Sequence, residues 1–176
     1  MKTTGGIALM VIAAGLALAT GFWLNSASNR GNTHDSGNVA QLMAASFPDM
    51  ESNSQALAQW RGKVLIVNFW ATWCEPCLKE IPEFIRMQQK FGDQGLQIVG
   101  IAVDNAANVR EFAAKYRMNY PVLIGELDAI ELAKVAGNKH GGLPFTVVVD
   151  RTGQLIATEL GGLDEQKLMA IIEPAM

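Results

Sequence analysis

Two cysteines, Cys74 and Cys77, stand three residues apart as C-x-x-C and are the only thiols in the chain. Such a pair can serve as a dithiol–disulfide couple, supply half of a tetrahedral zinc site, or pack inertly. Zinc would need two further ligands, and the only histidines are His34, in an Asn/Ser/Gly-rich stretch, and His140. A lone C-x-x-C without a second pair is poor support for a metal, so no metal site is expected. The surroundings favour redox chemistry. A β-branched run, Val64–Phe69, leads through a short loop to Cys74, which opens a helical pattern over Glu75–Phe91. The free N–H groups and positive end of a helix favour a thiolate there, the nucleophilic form of cysteine. Cys77 sits one turn deeper on the same face, placed to attack a mixed disulfide at Cys74 and release the partner. Pro76 falls in the first turn, where no helical N–H is lost; Pro82 is interior and predicts a kink.

The elements around this pair read as α/β. Val64–Phe69 and Leu96–Val103 are continuous apolar runs suited to strands buried on both faces. Asn105–Tyr116 is an amphipathic helix, Val122–Ile124 a short strand and Ala129–Val135 a short helix. Phe145–Val149 ends in the turn signal Asp150-Arg151-Thr152-Gly153, with Gln154–Glu159 as its hairpin partner and Leu163–Ile172 as a closing helix. A parallel half followed by an antiparallel hairpin predicts three layers, a central mixed sheet flanked by helices.

The stretch Asn68–Pro82, NFWATWCEPCLKEIP, resembles the thioredoxin superfamily and, within it, the membrane-tethered TlpA/ResA-type thiol–disulfide oxidoreductases. The resemblance runs from about Phe47 to Met176. It implies a thioredoxin-like fold, catalytic Cys74 and Cys77, and no cofactor beyond their disulfide. Gly142-Leu143-Pro144 resembles the family's cis-proline loop, which implies substrate binding by Trp73, Leu143 and Pro144; otherwise Pro144 reads as an ordinary trans proline opening a strand. Thioredoxin carries a buried Asp where Asn68 stands, and an amide cannot take the Cys77 proton. Glu80 resembles the acidic residue of ResA-like proteins and is the expected substitute, the alternative being a solvated helix glutamate. Phe145 stands where the family usually has Thr, and His140 is close enough to Pro144 to fall on the active-site rim. Ser46–Arg61 resembles the N-terminal hairpin region of TlpA-type proteins.

Composition narrows the partners. The net charge is −3, and from Ala45 to Met176 there are 12 basic against 16 acidic residues with no basic run, so nucleic-acid binding is not expected. Two cysteines are too few for a multi-bridge secreted scaffold. Of the 176 residues 49% are hydrophobic, and part of the positive mean hydropathy, +0.15, comes from residues 5–24, twenty uncharged positions in a row. At about 1.5 Å per residue these span about 30 Å, a bilayer's hydrocarbon thickness. Residues 1–24 are expected to be a signal anchor, with Phe22 and Trp23 at the outer interface; Ala17-Leu18-Ala19 leaves a cleaved signal open. Lys2 places the N-terminal side in the cytoplasm, so the protein is expected as a single-pass protein of the inner (cytoplasmic) membrane, facing the periplasm or cell exterior. Residues 25–44 read as a flexible tether and 45–176 as the thioredoxin-like domain.

Glu75, between the cysteines, adds negative charge that disfavours a thiolate, and with Pro76 is expected to tune the pair toward reducing power. The expected function is reduction of protein disulfides, which the resemblance links to cytochrome c or copper-site maturation. It also implies a membrane electron-relay protein as the reductant. A peroxiredoxin-like peroxidase is the first alternative, although Thr72 stands two rather than three residues before Cys74 and no proline precedes it by four. A disulfide-donating oxidase is the second.

Overall fold

The computed structural model describes residues 37–176. The expected anchor over 1–24 and the tether over 25–36 lie outside the described residues, among which no helix is long and apolar enough to cross a membrane. The end of the expected tether requires correction. Residues 37–44 are helical (α1), and Val39, Leu42 and Met43 are buried in the main core. Their i, i+3, i+4 spacing puts all three on one side of the helix, so this segment is packed rather than free.

Five strands form the central sheet in the order β5-β4-β3-β6-β7. These are β3 (Val64–Trp70), β4 (Leu96–Ala102), β5 (Val122–Ile124), β6 (Phe145–Val149) and β7 (Leu155–Leu160). The first three are parallel, β6 pairs antiparallel with β3 and β7 antiparallel with β6, which makes the expected mixed sheet. Every residue of β3, β4, β5 and β6 is buried, as the unbroken apolar runs require. On the edge strand β7 half-buried and exposed positions alternate. The N-terminal hairpin is present as β1 (Ser46–Pro48) and β2 (Ser54–Ala56), joined to the sheet by a bridge from Asp49 to Leu123.

Alternation along the strands sorts the helices into two layers. Asn68, Trp70, Gly100 and Thr146 share the face covered by α2 (Glu75–Phe91), α3 (Ala106–Tyr116) and α5 (Glu165–Ile172). Glu80 of α2 bonds Asn68, Trp70 packs on Phe112 of α3, and Lys90 of α2 pairs with Glu165 of α5. Phe69, Ile101 and Phe145 share the other face, where α4 (Glu126–Val135) packs. Asn105 and Asp164 cap α3 and α5 by accepting the N–H of the third residue onward, which starts both helices later than their apolar stripes alone indicate. Helix α2 continues through Pro82, followed by Gly95 in the left-handed conformation that returns the chain to β4.

Three connections meet at the carboxyl end of β3. The loop from β3 into α2 carries Cys74. The residue before β6, Pro144, lies beside that end because Phe145 pairs with Phe69. The turn after β7 joins them, Gly161 N–H donating to the Pro144 carbonyl at 2.8 Å.

Candidate active site

Cys74 and Cys77 are joined as a disulfide, with Cα atoms 5.3 Å apart. Cys74 is the N-cap of α2, and its Sγ accepts the Cys77 N–H at 3.3 Å. A sulfur in that position receives one of the helix's free N–H groups and the positive end of its dipole, so a thiolate formed there is favoured at Cys74. The two sulfurs differ in access. Cys74 retains 6% of its surface and Cys77 none, so Cys74 is the one an incoming group can reach.

The loop before Cys74 is a turn closed by Cys74 N–H to the Ala71 carbonyl at 3.2 Å. Thr72, inside that turn, donates its hydroxyl to Asp104, just past β4. Partial burial pushes the Asp104 carboxyl up, but hydrogen bonds from Thr72, Asn105 and Asn108 outweigh it and hold the group below its usual range. The next residue, Trp73, stands 68% exposed beside the disulfide. The Asp104–Thr72 contact was not legible in the sequence, where 32 positions separate the partners.

Glu80 is the residue the structure clarifies most. It lies one turn beyond Cys77 on the inner face of α2 and is 1% exposed, which excludes the solvated alternative. Burial pushes its carboxyl up to about 7, against two hydrogen bonds that pull it down. Asn68 Nδ2 donates to Oε1 at 2.8 Å, and Leu163 N–H to Oε2 at 3.0 Å. Asn68 Nδ2 also donates to Thr146 Oγ1 at 3.1 Å. Burial, and then the Glu80 charge, raise the Tyr120 hydroxyl well above its ordinary value. A carboxyl poised near neutrality one turn from Cys77 along the same helix is suited to accept the proton of that residue's thiol once the pair is reduced.

Glu75, by contrast, is outside. Its carboxylate pairs with Lys79 at 2.8 Å, both side chains being largely exposed, and this hydrogen bond holds it below the usual range. Its charge is therefore largely offset beside Cys74. Pro76 occupies the first turn of α2. The Leu143–Pro144 peptide is cis, with Pro144 buried and Leu143 half-buried. Phe145 is buried and packs on Phe69, ring centroids 6.0 Å apart, on the α4 face; it belongs to the core. His140 is exposed on the loop before Pro144, which Asn138 closes through hydrogen bonds to both Gly142 N–H and its carbonyl.

A model of the AhpC/TSA family matches residues 39–171. The chain belongs to the AhpC/TSA family. The match begins within α1, in keeping with the packing of that helix. Among the relatives, the thiol-disulfide oxidoreductase ResA of Halalkalibacterium halodurans is 28% identical over 131 residues, 72% of each chain. ResA of Bacillus subtilis is 31% identical over 126 residues, 67% of this chain and 66% of the relative. A thiol:disulfide interchange protein of the thioredoxin family from Chlorobium tepidum superposes with a TM-score of 0.66 at 29% identity, over 74% of this chain and 92% of that one. The fold is thioredoxin-like, and the chain is a thiol–disulfide oxidoreductase of ResA type with Cys74–Cys77 as its cysteine pair.

Proposed function

We propose that this AhpC/TSA-family chain reduces disulfides of other proteins outside the cytoplasm, with Cys74 as nucleophile, Cys77 as resolving thiol and Glu80 as proton acceptor. The observation that carries this reading is the asymmetry of the pair: an accessible sulfur at a helix cap, and a wholly buried one with a buried carboxyl one turn behind it. In the reduced protein the Cys74 thiolate attacks one sulfur of the substrate disulfide. That S–S bond breaks, a mixed disulfide forms, and the first substrate sulfur leaves as a thiolate that takes up a proton. Cys77 passes its proton to Glu80 and attacks Cys74 Sγ. The Cys74–Cys77 bond forms as the mixed disulfide breaks, so two electrons have moved to the substrate.

Direction follows from how little besides the helix cap stabilises the Cys74 thiolate. One backbone N–H reaches Sγ, Glu75 and Lys79 cancel, and the nearest buried ionisable group on α2 is acidic. A weakly stabilised thiolate makes the dithiol a better reductant. Trp73, Leu143 and Pro144 are proposed to bind the substrate backbone around its cysteine. The N-terminal apolar segment is proposed to anchor the chain in the inner membrane, where a membrane relay protein would return electrons to Cys74–Cys77. ResA-type relatives, named thiol-disulfide oxidoreductases, support disulfide exchange over peroxide chemistry, and maturation of cytochrome c or a copper site is the proposed setting.

The test uses the reduced Cys77→Ser variant with insulin as a protein disulfide. The expected result is a covalent complex through Cys74, released by dithiothreitol, while the unaltered protein reduces insulin with turnover. Rapid peroxide consumption without insulin reduction would replace this reading with the peroxidase one.

A further inference from the structure

Two buried polar atoms have no hydrogen-bond partner among the described residues, Asn68 Oδ1 and Trp70 Nε1. One is an acceptor and the other a donor, and both residues are buried to within 1%. Leaving either group dry and unpaired is unfavourable, so the coincidence of two calls for a common cause.

Their placement supplies one. Asn68 and Trp70 are two positions apart on β3, on the same face, with Cα atoms about 6.6 Å apart at the usual strand rise. Asn68 has Thr146 of β6 on one side and Gly100 of β4 on the other. Its Nδ2 is committed toward Thr146 and Glu80, which turns Oδ1 of the same amide toward β4. Trp70 Nε1 is already over β4: a Cβ on Gly100 would lie 2.9 Å from it. The glycine is what lets the indole N–H approach the strand. The ring edge of Tyr120 reaches the same spot, its Cε2 3.4 Å from that Cβ position, and the carbon next to it bears the phenol oxygen. The orphan donor and a hydroxyl-bearing ring edge therefore meet over Gly100, and the orphan acceptor belongs to the residue paired directly across from it. Two or more polar partners are what a buried water needs.

We propose that an internal water is bound between Trp70 and Asn68, beside Gly100, accepting from Trp70 Nε1–H and donating to Asn68 Oδ1, and that it locks the Asn68 amide so that Nδ2 faces Glu80. Trp70 and Asn68 are then positioning residues. They act by fixing which end of an amide the carboxyl meets. An amide turned the other way would present oxygen to the carboxylate. The inference rests on the reading of Glu80 as the Cys77 proton acceptor only for its consequence; the water site itself stands apart from it.

The experiment joins NMR to the pH dependence of thiol reactivity. In the unaltered protein, the Trp70 Nε1–H resonance is expected to show a direct dipolar contact to a long-lived water. In Trp70→Phe, which keeps an aromatic ring and removes the donor, the inflection assigned to Glu80 in the rate of Cys77 attack on a mixed disulfide is expected to move upward by about half a pH unit or more, as the amide loses its fixed orientation. Tyr120→Phe, tested in parallel, leaves both the donor and the acceptor and is expected to retain the water contact. No water contact at Trp70 Nε1–H would overturn the site. A water contact with an unmoved inflection in folded Trp70→Phe would overturn the positioning role. If Glu80→Gln left the inflection in place, the Glu80 reading would fail while the water contact still decided the site.

Discussion

Replacing Glu80 by Gln separates the burial of a carboxyl from its chemistry. In the unfolded chain the group titrates near its ordinary 4.5; in the folded protein, burial first and then two opposing hydrogen bonds leave it at about 7. Between those values the folded state holds the proton that the unfolded state has released. Stability associated with this group is therefore complete below 4.5, falls as pH rises, and is lost above about 7. At about 1.4 kcal/mol for each pH unit the full loss is about 3 kcal/mol, and between pH 5 and 8 it is about 2–3 kcal/mol. Glu80→Gln does not titrate, so its stability relative to the unaltered protein rises by that amount over the same interval. Misfit of the Gln amide against Asn68 adds an offset that does not vary with pH, which makes the change with pH the readout. Urea unfolding of the oxidised proteins at pH 5, 6, 7 and 8 measures it, with a relative gain in midpoint of about 1 M across the series. A stability difference that stays constant from pH 5 to 8 would refute the claim that Glu80 is a buried, poised carboxyl.

Three further outcomes follow from the same geometry. In the reduced protein, iodoacetamide is expected to modify Cys74 at least about tenfold faster than Cys77, since only Cys74 has accessible surface; peptide mass mapping over time checks this. Leu42→Ala, in α1, removes a wholly buried side chain and is expected to cost about 2–4 kcal/mol in urea unfolding, whereas a residue in a free tether would cost nothing measurable. Glu75→Gln is expected to shift the reduction potential by less than about 15 mV, because Lys79 already offsets the charge; a larger shift would return Glu75 to the role of main tuning group.

The sheet was legible because its buried strands are written as unbroken apolar runs. Val64–Trp70 and Leu96–Ala102 fall within one residue of the runs that predict them, and Val122–Ile124 matches outright. The C-x-x-C was legible because a strand, a loop and a helix start follow in order. Residues 37–44 were hidden by their company: three apolar positions among Gly, Asn, Gln and Ala make too short a stripe to stand out beside an Asn/Ser-rich stretch. Glu80 could not be told from a surface glutamate because its partners, Asn68 and the Leu163 N–H, lie 12 and 83 positions away. Glu75 shows the opposite case, a residue whose partner the sequence reading did not weigh. Its place between the cysteines gave it weight, and only the pairing with Lys79 shows how little of its charge is left to act on Cys74.

The claim that this thiol–disulfide oxidoreductase works as a reductant is tested most directly by the reduction potential of the Cys74–Cys77 pair, equilibrated against glutathione or dithiothreitol at pH 7. The account predicts a value at or below about −200 mV. A value near −120 mV, that of a strong disulfide donor, would contradict it.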